Sequence, residues 1–399
     1  MTGALTGLRV LDLTHMLSGP FCTMTLADLG AETIKIEPLQ GEGTRKLLAT
    51  DPKHSLHGMG AYFITLNRNK KSVAIDLKNE DGLALFYSLV KEADIVVNNF
   101  AAGVPAKLKI DYPHLSEINP RIITCSVTGF GEDGPGANRP AFDQVAQAYG
   151  GGMSITGTDA SQPMRAGIPI GDLGGGMFAV MGILSAVIER QRSGVGQHVD
   201  ISMLDAQVSL LNYMATMYSM SGEDPEPIGN SHFVHVPYNS YPVSDGHIVL
   251  CVLTDGFWQN LKAMLNCPAL DKPEYDTQPG RLADKAFIDA TLANIFKSNT
   301  RAHWLAELEK YRIPSAPVNR FSDALNDRQL RHRQMVVPLQ HPSGDSVEGP
   351  GCPIKLSRSR PEHYHPAPVL GQDSDAVLTE VLRLDEQEVA RLRTAGVIV

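Results

Sequence analysis

In the run Gly167-Ile-Pro-Ile-Gly-Asp-Leu-Gly-Gly-Gly-Met177 one carboxylate, Asp172, stands among small and apolar residues, directly ahead of a long apolar stretch. An Asp in front of an apolar helix is a favoured N-cap, because its side chain accepts a hydrogen bond from a backbone N–H two or three residues on. Gly174, Gly175 and Gly176 fit a plain cap less well. They cost helix stability and are more readily explained where a backbone must approach another group closely. Spacing alone leaves both readings of Asp172 open, helix cap and functional carboxylate.

Other residues with chemical potential are scarcer than the composition suggests. Glu37 stands where an acid could hold a ribose, but a dinucleotide loop after the first strand should read GxGxxG, and this chain has Thr14-His-Met-Leu-Ser-Gly-Pro20. The thirteen histidines include no HExxH, and His232 and His235 share a segment without a Cys or an obvious carboxylate ligand. A GxSxG elbow and a Walker lysine motif are also missing, which sets aside the common hydrolase and kinase arrangements.

Composition narrows the classes further. A net charge of -9 argues against a general nucleic-acid binder, whose surface must neutralise phosphates, while leaving room for a local cationic patch that meets a small anion. No window approaches the roughly 20 apolar residues that cross a bilayer, so no membrane partner is expected. The opening MTGALTGLRVLDL lacks a secretory pattern, and Cys22, Cys125, Cys251, Cys267 and Cys352 are scattered without a CxxC pair. Reduced thiols in a cytoplasmic protein are expected.

The elements that would position Asp172 read as an α/β fold. Leu8–His15 is a buried strand, 19–29 a helix and Glu32–Glu37 a second strand, so the chain opens as βαβ; strands at 72–76, 94–98 and 121–128 with a helix at 81–92 continue the alternation. A long core helix runs from Leu173 to Arg192 and stops at Gly194, followed by a strand at 197–201 and a helix from Ser202 to about Ser219. Ser221–Pro227 is a linker. Beyond it a strand at 247–252 and helices near Trp258, at 286–296 and at 300–310 suggest a smaller α/β domain. A Pro-rich run at 361–368 leads to a terminal helix at 386–394.

Several segments together resemble the class III CoA-transferases, the family that includes formyl-CoA transferase and the carnitine CoA-transferases. They are Leu8-Arg-Val-Leu-Asp-Leu-Thr14, Asp28-Leu-Gly-Ala-Glu-Thr-Ile-Lys-Ile-Glu-Pro38, Asn69-Lys-Lys-Ser-Val-Ala-Ile-Asp-Leu-Lys78, Val97-Asn-Asn-Phe100, Ile118-Asn-Pro-Arg121 and Gly129-Phe-Gly131. Ala141-Phe-Asp-Gln-Val-Ala-Gln-Ala148, the Asp172 run and Gly194-Val-Gly-Gln-His-Val-Asp-Ile-Ser-Met203 follow in order. The resemblance spans nearly the whole chain. It implies a Rossmann-like parallel sheet in a large CoA-binding domain (1–220), a small α/β domain (228–325), a C-terminal segment (330–399) that returns to the large domain, and an interlocked homodimer.

The resemblance also implies roles. Asp172 would be the nucleophile that attacks an acyl-CoA thioester, and Asp143 a supporting carboxylate. A carboxylate suits that role because it gives an anhydride at least as reactive as the thioester, and an ordinary pKa near 4 leaves it ionised without a base. The glycines would leave room for the thioester. CoA, a substrate and not a tightly bound cofactor, would meet His15, Met16, Leu17, Ser18, Ile75, Lys78, Asn99, Phe100, Lys107, Arg139 and Met203. Arg165, His232, His235 and Tyr238 would donate to the distal carboxylate of the small acid.

Two departures refine the expectation. Leu17 stands where formyl-CoA transferases have glutamine, and Gly229–Asn239 replaces their glycine run, so formyl or oxalate specificity gives way to succinyl-CoA and other dicarboxylates or to carnitine-type acids. The 2-methylacyl-CoA racemases of the same superfamily carry a histidine where this chain has Phe142, and racemisation needs two proton carriers. The alternatives are therefore such a racemase or a non-catalytic CoA-binding protein.

Overall fold

The computed structural model describes residues 3–359 and 364–399; of the Pro-rich run, residues 361–363 lie outside them. The chain forms two compact units, one of Met1–Met153, Arg165–Glu223 and Gln329–Val399, the other of Ser154–Met164 and Asp224–Arg328.

The first unit begins β1 (Arg9–Asp12), α1 (Ser18–Asp28), β2 (Glu32–Glu37), α2 (Ala61–Asn67), β3 (Lys70–Ala74), α3 (Glu80–Lys91) and β4 (Ile95–Asn98). It continues with α4 (Val104–Lys107), α5 (Tyr112–Ile118), β5 (Ile123–Thr128), α6 (Asp143–Tyr149), α7 (Ile170–Ser193), β6 (His198–Ser202), α8 (Met203–Leu211) and α9 (Tyr213–Ser221). The six strands are all parallel, in the order β3-β2-β1-β4-β5-β6. That is the order of doubly wound nucleotide-binding sheets, whose direction of winding reverses between β1 and β4.

Alternation along each strand feeds two cores. Leu11, Ile34, Val73 and Val96 pack under α3 and α5. Val10, Ile95, Val97 and Val127 pack under α1 and α7, with Cys22, Leu26, Ala179 and Ile183. Burial on both faces explains why these strands read as apolar runs.

α7 is longer than expected, starting three residues before Leu173, and ends at Gly194 in the left-handed conformation that closes helices. By length and composition it would cross a bilayer, against the expectation from the sequence. Its buried face, Gly174 to Arg190, packs on the sheet, and Arg190 pairs with Asp94, so it serves here as a core helix. The helix expected at 202–219 is broken at Asn212, whose φ of 52° interrupts it between α8 and α9.

The second unit is a small antiparallel sheet, β7 (Tyr238–Val243), β8 (Gly246–Cys251) and β9 (Ser315–Pro317), ordered β9-β8-β7. Helices Asp255–Leu265, Lys285–Phe296 and Arg301–Lys310 accompany it, around a core that includes Tyr241, Trp258, Phe296 and Trp304. In the first unit the chain then adds the hairpin β10 (Val336–Gln340) and β11 (Ser346–Pro350) and the helices Ser374–Glu380 and Glu386–Thr394.

Candidate active site

Loops after parallel strands lie at the carboxyl edge of the sheet, and where winding reverses they part to leave a crevice. A cavity of about 340 Å³ lies there, lined by the loops after β1, β4 and β5 together with Tyr62, Asp172 and Met203. His15, Met16, Ser18, Asn99, Phe100 and Arg139 also line it.

A buried ionic floor sets the first of these loops. Asp12 accepts from the Thr14 N–H at 2.9 Å, Thr23 Oγ1 at 2.8 Å and Lys70 Nζ at 2.8 Å. Burial opposes its charge, but Lys70 and Lys35 outweigh that and hold the carboxyl well below the usual range. Burial pulls Lys70 down to about 8 although Asp12 opposes the shift. Lys35 Nζ donates to the Thr14 carbonyl at 2.8 Å, which fixes the chain just before His15. Asn99 then joins this loop to the one after β4: Oδ1 accepts from the His15 N–H at 2.8 Å and Nδ2 donates to the His15 carbonyl at 2.7 Å. His15 packs against Phe100, and burial, followed by Lys35, lowers its imidazole below 6.5.

Asp172 is the third residue of α7 and not its cap; the N-cap position is Pro169, whose side chain makes no cap bond. The capping acceptor is instead Asp143, the first residue of α6. Its Oδ1 accepts from the Gly171 N–H at 2.9 Å and the Asp172 N–H at 3.3 Å. Gln147 Nε2 donates to Asp143 Oδ2 at 2.8 Å, while Gln147 Oε1 accepts from the Ala166 N–H at 2.8 Å. The glutamine amide is thereby oriented, with its donor toward Asp143 and its acceptor toward the segment entering α7.

The Asp172 carboxyl is half-buried and carries no hydrogen-bond donor from another side chain among the described residues. Burial, then the neighbouring charge of Asp143, pushes it from 3.8 up to about 6. The carboxylate expected near pKa 4 is thus held in a more basic state. That makes it a stronger nucleophile while leaving it largely ionised above neutrality. Tyr62 on α2, which sequence reasoning missed, faces it: burial and then the Asp172 charge raise the phenol to about 12. Nothing local to α2 signals this, because the pairing is made by the fold.

The glycines do something different from leaving empty room. A Cβ on Gly176 would stand 2.6 Å from the Ser18 carbonyl oxygen, and one on Gly175 would stand 2.9 Å from Ser18 Oγ. The space they free is occupied by the start of α1. Gly174 faces Leu210 of α8 instead.

Arg139 lies with its guanidinium 5.0 Å from each of the Phe130 and Tyr149 ring centres, and among the described residues no carboxylate pairs with it. Leu17, Ile75, Lys78 and Lys107 do not line the cavity. Ile75 is 1% exposed in the core and donates its N–H to the Glu37 carbonyl, so its side chain faces no ligand. Lys78 and Lys107 are exposed, beyond the carboxyl ends of β3 and β4. Arg165 donates to the Ala166 and Gly167 carbonyls at 3.0 and 3.4 Å. His232, His235 and Tyr238 belong to the second unit, where their rings cluster. His232 Nδ1 accepts from the Val234 and His235 N–H groups there, and burial, followed by His235, lowers its pKa. No group of three or more His, Cys, Asp or Glu side chains suited to a metal ion occurs among the described residues.

Comparison with known proteins adds to this geometry. The family model described as CoA-transferase family III matches residues 5–374. The chain is 37% identical over 391 residues to the succinyl-CoA:mesaconate CoA-transferase of Haloarcula hispanica, covering 95% of this chain and 96% of that protein. It is 34% identical over 396 residues to the succinyl-CoA:glutarate CoA-transferase of Mus musculus, covering 99% and 90%. Among solved structures it is similar to a CAIB/BAIF family protein from Brucella suis, with a TM-score of 0.86, 35% identity and coverage of 96% of this chain and 100% of that one.

Proposed function

The chain belongs to CoA-transferase family III, and on that premise we propose that it moves CoA from a succinyl-CoA-like dicarboxylic thioester to a free carboxylic acid, with Asp172 as covalent carrier. The observation that carries this reading is the half-buried Asp172 carboxyl, raised to about 6, in the lining of the β1/β4 crevice.

In the first step an Asp172 oxygen bonds to the thioester carbonyl carbon, the C–S bond breaks with its electron pair on sulfur, and a mixed anhydride and CoA thiolate result. The thiolate attacks the aspartyl carbonyl, releases the donor acid and leaves an aspartyl-CoA thioester. The acceptor carboxylate displaces the thiolate from that thioester to form a second anhydride. The thiolate then attacks the acceptor's acyl carbon, giving acceptor-CoA and free Asp172. No proton carrier is required. Asp143, bonded to the N–H groups of Gly171 and Asp172, acts as a positioning residue that keeps the first turn of α7 in place.

The dicarboxylate class is supported by the names of the two relatives, both transferases between succinyl-CoA and a dicarboxylate. Arg139, cationic and braced by two rings in the cavity, suits a carboxylate or a phosphate of either substrate. Arg165, His232, His235 and Tyr238 remain proposed donors to the distal carboxylate, and Lys78 and Lys107 to the CoA phosphates. Phe142, exposed at the cavity wall, carries no proton, which favours transfer over racemisation. The proposed interlocked homodimer would cover the apolar surface of α8 and α9, where Leu210, Tyr213, Met217, Tyr218 and Met220 are exposed, Met220 to 84%; sedimentation should give twice the chain mass.

The deciding experiment is incubation with succinyl-CoA and no acceptor, followed by mass spectrometry. A hydroxylamine-sensitive adduct on Asp172, absent from Asp172→Ala, is expected. Transfer that survives in Asp172→Ala would overturn covalent catalysis, and exchange of the C2 proton of a 2-methylacyl-CoA without acceptor would point to the racemase.

A further inference from the structure

Ser18 presents an anomaly in the cavity wall. It is 3% exposed, its hydroxyl oxygen has no hydrogen-bond partner among the described residues, and it lines the same cavity as Asp172. Buried hydroxyls are ordinarily paired, and one that is not costs stability unless something else arrives to meet it. The residues around it give no relief: the N-cap position, Leu17, has no side-chain cap bond, and Thr14 and Thr23 are bonded to Asp12.

Its position indicates what arrives. Ser18 Oγ lies 2.9 Å from the point where a Cβ on Gly175 would stand. Residue 175 is one helical turn beyond Asp172 on the same face of α7, and Cβ positions so related are about 5–6 Å apart. The hydroxyl and the Asp172 carboxylate thus belong to one cavity wall, with no hydrogen bond between them. A free hydroxyl in the wall of the Asp172 cavity can meet the carbonyl oxygen of a group joined to the Asp172 carboxylate. A side chain at position 175 would meet the Ser18 hydroxyl at 2.9 Å, which gives that glycine a reason.

We propose that Ser18 is a further catalytic residue, whose hydroxyl donates a hydrogen bond to the carbonyl oxygen of the acyl group attacked by Asp172. The assignment rests on the transferase reading above and goes beyond a CoA contact. When the Asp172 oxygen bonds to the thioester carbon, the carbonyl electron pair moves onto oxygen. The Ser18 hydroxyl meets that negative charge, keeps its own proton, and is released when the C–S bond breaks and carbonyl character returns. A hydrogen bond to the carbonyl oxygen strengthens as negative charge develops there, so it stabilises the transition state more than the bound thioester.

The test is Ser18→Ala beside the wild-type protein, with single-turnover formation of the Asp172 adduct from succinyl-CoA, steady-state kinetics, affinity for free CoA and thermal melting. Removal of one such donor typically slows the chemical step by about 100-fold or more. Adduct formation and kcat are expected to fall by roughly that factor. KM for the acyl-CoA and the affinity for CoA should stay within about twofold, and melting should be unchanged or higher because no internal bond is lost. Adduct formation as fast as in the wild type would overturn the assignment. So would a loss confined to KM and CoA affinity, which means a binding contact, or a lowered melting temperature, which means a structural partner. If the wild-type protein forms no adduct, the transferase reading itself fails and the Ser18 role fails with it, a result distinct from a rapid Ser18→Ala.

Discussion

At the scale of single residues, Asp172 in the first turn of α7 and Asp143 at the start of α6 do opposite work. Asp143 is an acceptor on both oxygens, bound by two backbone N–H groups and one amide, whereas Asp172 is left with burial and a like charge. If the ionised Asp172 is the nucleophile, kcat/KM should fall on the acid side with a midpoint near the raised pKa of about 6. Asp143→Asn removes the neighbouring charge and should move that limb to lower pH. Its amide would also confront the Gln147 donor, so the plateau should drop as well. A limb that stays in place would refute the electrostatic coupling. Stability should vary in the opposite sense to activity. The folded protein binds the Asp172 proton more tightly than the unfolded chain, so the cost of the buried charge is absent below pH 3.8, grows as pH rises, and is complete above about 6. Two pKa units correspond to at most roughly 3 kcal/mol. Asp172→Asn, inactive, should therefore unfold at higher denaturant than the wild type near neutrality, with the advantage vanishing in acid. An equal advantage at both pH values would contradict the assignment.

At the scale of elements, α7 shows what local pattern conveys and what it does not. Its apolar body and its stop at Gly194 were legible, but its start was not, because the acceptor that caps it comes from Asp143, 29 residues away in sequence. The terminal helix Glu386–Thr394 was read correctly since its signals are local: Asp385 caps it, and Glu388 pairs with Arg391 three residues on. β7 went unread. Its residues Tyr238-Asn-Ser-Tyr-Pro-Val243 mix polar groups with a proline, which is tolerated because β7 is an edge strand. In the site, Asp172, Asp143 and the first loop were singled out through the matching segments, while Tyr62 and the Gln147 bond to Asp143 arise from packing. The glycines of α7 allow a paired test. In Gly176→Ala the new methyl meets the Ser18 carbonyl at 2.6 Å, a backbone atom that cannot rotate away, so α1 must move; a loss of about 1–3 kcal/mol and slower adduct formation are expected. In Gly174→Ala the nearest atom is the end of the Leu210 side chain at 3.0 Å, which can yield, and helix propensity favours alanine by about 1 kcal/mol. Equilibrium denaturation should rank Gly174→Ala clearly above Gly176→Ala; the reverse order would disprove the close contact of α1 with α7.

At the scale of the first unit, the sheet order and the chain's end depend on each other. The outermost strand on one side is β3, and an uncovered edge strand is a liability. The last residues cover it: Asp373 accepts from the Ser72 N–H at 2.8 Å and donates its own N–H to the Ser72 carbonyl at 3.0 Å, and Ile398 bridges to Ile75 in antiparallel fashion. The same segment places Val377, Leu378, Val389, Leu392, Val397 and Ile398 in the core with Leu11, Ile34 and Val73. At about 1.5–3 kcal/mol for each buried aliphatic side chain, these six contribute on the order of 10 kcal/mol before ordering costs. That is comparable to the whole net stability of a typical domain, about 5–15 kcal/mol. A chain ending at Gln372 should therefore fail to fold cooperatively, giving insoluble protein or a broad, shallow unfolding transition, although it retains Asp172 and every residue that lines the cavity. A milder probe of the same contact, Ile398→Ala, should cost roughly 2–5 kcal/mol, while the acid limb set by Asp172 stays where it is. If the shortened chain instead melts as sharply and at the same temperature as the full one, the end of the chain is not part of the core that carries the site.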